Sequence, residues 1–156
     1  MPRQIDYSKL RILPDPDTRE WWEGAKRRKF LVRQCKTCGQ KWFPPLPACG
    51  KCTSMEVGWF ETGGRGSIYS YVVVMQPIVG AFIPAVPYVV AIIDLDGCHE
   101  PDGTVTRVAG VLTNDEPEVA IGLPVEVSFD ETLDPNIVVP RWTICGAAEN
   151  VWRFSE

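Results

Sequence analysis

The chain has a single histidine, His99, and that scarcity removes most of the familiar catalytic constellations. A Ser/His/Asp triad could be built only around that residue, and no strand-turn-helix nucleophile elbow accompanies it. Any run approaching the roughly 20 apolar residues that span a bilayer is also missing. The opening Met1-Pro2-Arg3-Gln4-Ile5-Asp6 lacks the apolar core of a secretory leader, so a cytoplasmic setting is expected. Long uninterrupted segments are scarce as well. Fourteen prolines and 13 glycines punctuate 156 residues, which disfavours long helices and favours short strands rich in Val, Ile and Tyr.

What is present describes a folding chain. Apolar residues make up 45% and charged residues 23%, the balance of a globular protein. The length allows a small module attached to a compact domain of about 100 residues. Charge divides the two: residues 1–60 hold 12 Lys/Arg against 6 Asp/Glu, a net of +6, while residues 61–156 hold 4 against 14, a net of −10. An anion is therefore expected to meet the N-terminal part.

Four of the six cysteines form two C-x-x-C pairs, Cys35-Lys36-Thr37-Cys38 and Cys49-Gly50-Lys51-Cys52. Each pair is spaced to curl around one face of a tetrahedral ion, and together they supply four soft ligands, which suits Zn²⁺, with iron or an iron–sulfur cluster as the alternative. Disulfides do not suit a cytoplasmic chain, and a second pair so close does not suit a thioredoxin-like redox motif. Four thiolates fill the coordination sphere, so the expected zinc is structural. Gly39, after the first pair, and Gly50, inside the second, are the expected positive-φ residues of the two knuckle turns.

Around this site the pattern predicts a helix from Asp15 (N-cap) and Pro16 to about Arg28, with Trp21, Trp22 and Ala25 on its apolar face. Phe30 to Gln34 and Val57 to Phe60 flank the cysteines as short strands, the outline of a zinc ribbon. Glu61 to Gly66 reads as a flexible junction. Its Gly63-Gly64-Arg65-Gly66 lacks the Lys-Ser/Thr ending of a phosphate loop and is expected to turn into a strand. Five strand candidates follow: Ser67 to Gln76, Val86 to Leu95, Val105 to Thr113, Pro124 to Asp130 and Ile137 to Ile144. The expected fold is mainly β: an N-terminal arm and helix (1–29), a rubredoxin-like zinc ribbon (30–60), a five-stranded barrel of the oligonucleotide/oligosaccharide-binding (OB) type (61–145) and a tail (146–156).

Three further features bear on function. The bases Lys26, Arg27, Arg28, Lys29, Arg33 and Arg65 are candidate contacts for the phosphates of a cofactor such as coenzyme A, or otherwise a solvated helix end. A nucleic-acid-binding ribbon/OB module is the rival, disfavoured by the acidic barrel. The charge-free segment Pro77 to Pro87 is either core padding or an apolar patch, and Ile78, Val79, Phe82 and Ile83, with Trp21 and Trp22, are candidate contacts to a partner or an acyl chain. Cys98-His99 imitates a nucleophile beside its base, but adjacent residues seldom aim at a common point. No role is assigned to Cys98, His99 or Cys145.

The ribbon, the strand entry Gly64-Arg65-Gly66-Ser67-Ile68-Tyr69-Ser70-Tyr71, the strand Pro87-Tyr88-Val89-Val90-Ala91 and the segment Ile121-Gly122-Leu123-Pro124-Val125-Glu126-Val127 resemble the zinc-ribbon/OB-fold acyl-CoA-associated family, formerly a domain of unknown function. The resemblance implies a partner. Members of that family typically form complexes with thiolase-fold proteins, in acyl-CoA condensing systems and in aldolases that shorten steroid side chains, and the thiolase-fold subunit carries the chemistry. It further implies a non-catalytic subunit that stabilises that enzyme and helps hold acyl-CoA; that no membrane is involved is expected from the missing apolar span, not from the resemblance. The turn from Asp96 to Gly103 is longer than is usual in the family, and a partner-specific role is expected for it.

Overall fold

The computed structural model describes residues 4–154. One α-helix, α1 (Arg19–Lys26), precedes a three-stranded antiparallel sheet of β1 (Leu31–Cys35), β2 (Lys41–Trp42) and β3 (Val57–Glu61), ordered β2-β1-β3. A five-stranded antiparallel sheet follows, of β4 (Arg65–Val74), β5 (Tyr88–His99), β6 (Val105–Val111), β7 (Pro124–Glu131) and β8 (Val138–Ile144), ordered β6-β5-β4-β7-β8. This second sheet curls until its edges meet: Leu112 and Trp142 form a parallel bridge, and Thr113 N donates to Trp142 O at 2.8 Å. The five strand candidates all form, and the OB-type architecture is borne out.

The helix is shorter than its sequence pattern. Asp15 does cap, but it caps a turn: its carboxylate accepts from Thr18 N and Thr18 Oγ1, both at 2.8 Å, and regular helix begins only at Arg19. At the far end Lys29 N donates to Gly24 O and Arg28 N to Ala25 O, with Arg28 at φ 61. These paired bonds are a Schellman terminus, here with arginine in the left-handed position. The basic run is thus a sharp exit from the helix, and successive bases point to different neighbours. Gly24 is where the helix meets β1, since a Cβ there would lie 2.7 Å from Leu31 Cδ1.

The expected flexible junction is tied down. Thr62 is buried and donates from both N and Oγ1 to Phe30 O, Gly64 N donates to Thr62 Oγ1, and Val127 N donates to Gly64 O. Gly64, at φ 67, makes the turn into β4, as the glycine run suggests. The Asp96-Gly97 turn is also displaced. Gly97 (φ 74) lies in an irregularity between Asp94 and His99, β5 continues to His99, and the chain reverses at Pro101-Asp102-Gly103.

The main core runs from Phe30 and Val32 of the ribbon into the barrel, through Ile68, Tyr71, Val89, Ile93, Leu95, Val108, Val125 and Trp142. A smaller core joins the N-terminal arm to the segment after β4: Ile5 packs with Ala81 and Ala85 of a 3₁₀ turn (Gly80–Ala85), and Asp6 N donates to Ala81 O at 2.8 Å. The arm is also held by Tyr7, whose hydroxyl donates to Asp130 Oδ2 at 2.6 Å.

β4 must pair with both β5 and β7, and it bends to do so through a bulge between Ile68 and Ser70 and a close backbone crossing at Gly66. A Cβ on Gly66 would run into the main-chain oxygen of Asp94, which no rotamer change can move aside. Gly66→Ala should therefore lose at least about 1–3 kcal/mol of stability, the usual range for overpacking, as a shifted urea midpoint at unchanged slope.

Candidate metal centre

Two knuckles bring the four cysteines together. Gly39 N donates to Cys35 O at 3.0 Å and Thr53 N to Cys49 O at 2.9 Å, so each C-x-x-C pair closes one turn of the same form. The residue after each pair takes the left-handed conformation: Gly39 at φ 78 and Thr53 at φ 59. Gly39 fulfils its expected role, whereas Gly50 does not, because the strained position of the second knuckle falls on Thr53.

The four sulfurs lie within 4.8 Å of one another, with Cys35–Cys52 at 3.6 Å and Cys38–Cys49 at 3.7 Å. Those separations are too long for disulfides and match the edge of about 3.8 Å that a tetrahedron with roughly 2.3 Å metal–sulfur bonds requires. Cys35 and Cys49 are buried, and Cys38 is exposed. The Cys38 backbone N–H donates to Cys35 Sγ at 3.5 Å and draws that thiol down to about 6, against the opposing effect of burial. The donor set fits a structural Zn²⁺: four soft ligands, prearranged, with no position left for a substrate or reactive water.

The metal site is wired to the barrel. Lys51, inside the second knuckle, reaches Asp102 at 2.7 Å on the β5–β6 turn, and Lys41 of β2 reaches Glu100 at 3.3 Å on the same turn. The Lys51 ammonium, with help from Thr104, holds the Asp102 carboxyl well below the usual carboxylate range. The long turn is therefore occupied within the chain, as the clamp on its own ribbon. This contact is invisible to spacing arguments, although the opposite charges of Lys41/Lys51 and Glu100/Asp102 were its available signal.

The other candidate residues are dispersed. Arg27 pairs with Glu20 at 2.7 Å, Arg28 with Glu131 at 2.7 Å, Lys29 with Glu61 at 2.8 Å and Arg65 with Glu126 at 3.5 Å, while Lys26 Nζ donates to Asn136 Oδ1 at 3.1 Å. Arg33 stacks its guanidinium over Trp59 at 4.1 Å. Trp21 packs within the chain, edge-on to Phe30 and beside Phe43, both at 5.8 Å; Trp22 stands edge-on to Trp21 at 4.7 Å and is half-buried. In the charge-free segment both sequence readings hold for different residues: Ala81 and Ala85 are core, Phe82 packs on Tyr88, and Ile78, Val79 and Ile83 are exposed. Cys98 is wholly buried, where burial pushes its thiol up, and the next residue, His99, is exposed on the other face of β5. The two side chains diverge and make no dyad.

A four-cysteine ribbon set against a curled five-stranded barrel defines the class: a zinc-ribbon/OB-fold protein. Two family models match, "ChsH2, rubredoxin-like zinc ribbon domain" over residues 22–56 and "ChsH2, C-terminal OB-fold domain" over residues 59–130. The chain belongs to this ChsH2-type family, DUF35. It is 32% identical to a solved chain of the "Ltp2-ChsH2(DUF35) aldolase", with a TM-score of 0.69 over 86% of this chain and 98% of that one. A DUF35 protein of Sulfolobus solfataricus shares the fold at 16% identity and a TM-score of 0.54, over 83% of this chain and 86% of that one. Among curated relatives, the "3-oxo-4,17-pregnadiene-20-carboxyl-CoA hydratase alpha subunit" of Mycobacterium tuberculosis is 30% identical over 82% of this chain, and a "Probable enoyl-CoA hydratase alpha subunit" of Thermomonospora curvata 34% over 80%. This chain spans 36% of each of those two proteins. A "DUF35 domain-containing scaffold protein" of Pyrococcus furiosus matches at 29% identity over 73% of this chain and 82% of that protein.

The purified protein should carry one zinc per chain by elemental analysis and release it as pH falls, because protons compete for all four thiolates; Cys35→Ser should lose the metal and much of the soluble yield. Lys41 and Glu100 are only 13% and 11% exposed, so Lys41→Met should cost on the order of 3 kcal/mol by leaving the Glu100 carboxylate without its counter-charge, held by the residue-41 backbone N–H alone. Lys51→Met, at an exposed pair, should shift the denaturation midpoint far less.

Proposed function

We propose that this chain is a non-catalytic, acyl-CoA-associated subunit that stabilises and assists a thiolase-fold enzyme, an aldolase cleaving a steroid or other acyl-CoA side chain in the cytoplasm. The observation that carries the proposal is the 32% identity to a chain of the Ltp2-ChsH2(DUF35) aldolase, across 86% of this chain and 98% of that one. The names of the curated relatives, two alpha subunits of hydratases of CoA thioesters and a scaffold protein, support the subunit role and the CoA-thioester substrate class, while the aldolase reaction rests on the solved relative. The site adds a chemical reason: the tetrathiolate is coordinatively closed, and Cys98 and His99 face apart, so neither supplies a reaction centre.

In this reading Lys26, Arg27, Arg28, Lys29, Arg33 and Arg65 meet the CoA phosphates by exchanging acceptors. Their present ion pairs at Arg27, Arg28, Lys29 and Arg65 are exposed and weak, and a polyphosphate is a stronger competitor than a single carboxylate. The exposed Ile78, Val79 and Ile83 offer apolar contact to the partner or the acyl chain, with Phe82 and Trp22 more enclosed and Trp21 already committed to the chain's own core.

The test is co-expression with a thiolase-fold protein of the same organism. The two should elute as one complex, and carbon–carbon cleavage of a β-hydroxyacyl-CoA should require both, with no turnover by this chain alone. A chain that stays separate and shows no CoA binding by calorimetry would refute the proposal. A salt-sensitive shift of single-stranded nucleic acid would replace it with the rival ribbon/OB reading.

A further inference from the structure

An antiparallel sheet with one face in water ordinarily alternates apolar and polar residues along each strand. β4, β5 and β6 do not. Their pairing sets Val72, Val90 and Val111 in one cross-strand row and Ser70, Ile92 and Ala109 in another. The residues between them, among them Tyr71, Val89, Ala91, Ile93 and Val108, fill the core, so the two rows lie on the outer face. Val72 is 58% exposed there, Ala109 is exposed, and Val90 and Ile92 are half-buried. The run Tyr88-Val89-Val90-Ala91-Ile92-Ile93 has the composition of a strand covered on both sides. Here the second side is covered only at its Tyr88 end.

The chain covers one end of this face itself. Phe82, from the 3₁₀ turn, packs on Tyr88, and Val111 joins the same small core. Past that end, where β4 leaves the sheet, Met75 and Ile78 are 70% and 101% exposed. At the opposite end Arg107 pairs with Asp94 and lies over the Tyr69 ring at 3.8 Å. The result is a charge-free centre bordered by a satisfied ion pair and an aromatic ring, the anatomy of a protein–protein interface.

We infer that the outer face of β4, β5 and β6 is the surface on which the thiolase-fold subunit docks, an assignment that rests on the function proposed above. The face itself selects the class of occupant. Its two rows hold no charge, so nucleic acid and phosphate find no counter-ion there, and the matching surface must be apolar. The solved relative, named as an aldolase of Ltp2 and ChsH2, favours a different protein over a second copy of this chain.

The experiment measures binding to the co-expressed thiolase-fold protein by calorimetry. Val72→Lys and Ala109→Glu place charges at exposed sites and should leave the circular-dichroism spectrum and zinc content unchanged, while each weakens association at least about tenfold. Leu133→Lys, 79% exposed and on the β7–β8 connection, serves as the control and should bind as the wild type does. Wild-type affinity in both charged variants would overturn the interface while leaving the proposed function standing. A wild-type chain that does not bind the thiolase-fold protein at all overturns both. A chain that sediments alone as a dimer, and becomes a monomer with Val72→Lys, would instead assign the face to a second copy and overturn the inference.

Discussion

Trp142 sits where barrel closure, barrel core and ribbon docking meet. Its backbone carries the parallel bridge to Leu112, its ring lies directly on Gly110 where any side chain would collide, and Phe30 packs edge-on against it at 5.3 Å. Phe30 is the residue between the helix exit and β1, and Phe43 and Trp21 extend the cluster from the ribbon and the helix. One indole therefore fixes the curl of the five-stranded sheet and the seat of the N-terminal module together. Aromatic rings suit the task, because edge-on geometry adds directional preference to the area they bury.

Charge then does at the rim what aromatic packing does at the centre. The +6 and −10 of the two halves meet across the seam, as Lys41 with Glu100, Lys51 with Asp102 and Arg28 with Glu131. Only the first of these is largely withdrawn from water, and it alone is expected to contribute much; the exposed pairs favour one orientation of the modules over others more than they add stability. The segregation of charge along the chain, suggestive of an external anion, is in large part the complementarity of two modules that must find each other.

How much of this was legible in the sequence depended on the range of the interactions. The zinc site follows from spacing alone, because a C-x-x-C pair and its knuckle are local, and the strands follow from apolar runs between turn residues. Thr53 was hidden because a left-handed threonine leaves no compositional mark, whereas Gly39 does. The helix stops short of its sequence pattern because the Schellman bonds set Arg28, a good helix former, in the left-handed position. The clamp of Glu100 and Asp102 on the ribbon leaves only its opposite charges as a sign in the sequence, because it joins residues 51 and 59 positions apart that only the folded barrel brings together. Likewise Asp96-Gly97 looks like a hairpin turn, but the strand absorbs it as an irregularity and turns later.

The metal and the bare sheet face are linked by what a small module can and cannot do for itself. A sheet of five, two and five residues has too few apolar side chains to fold alone, so the ribbon relies on the ion for its shape and on Phe30, Trp142 and the two lysines for its attachment. With the ribbon and helix in place, that end of the barrel is covered, and the arm and the 3₁₀ turn close over Tyr88 and Val111. Each of these coverings removes a strand face or edge from solvent. The outer side of β4 and β5 keeps valine and isoleucine at positions where water would favour threonine, lysine or glutamate. The exposed part of such a face, at Val72 and Ala109, adds little to the stability of the isolated chain, and it exposes the chain to aggregation. Its composition makes physical sense in an assembly, where a second protein supplies the missing layer.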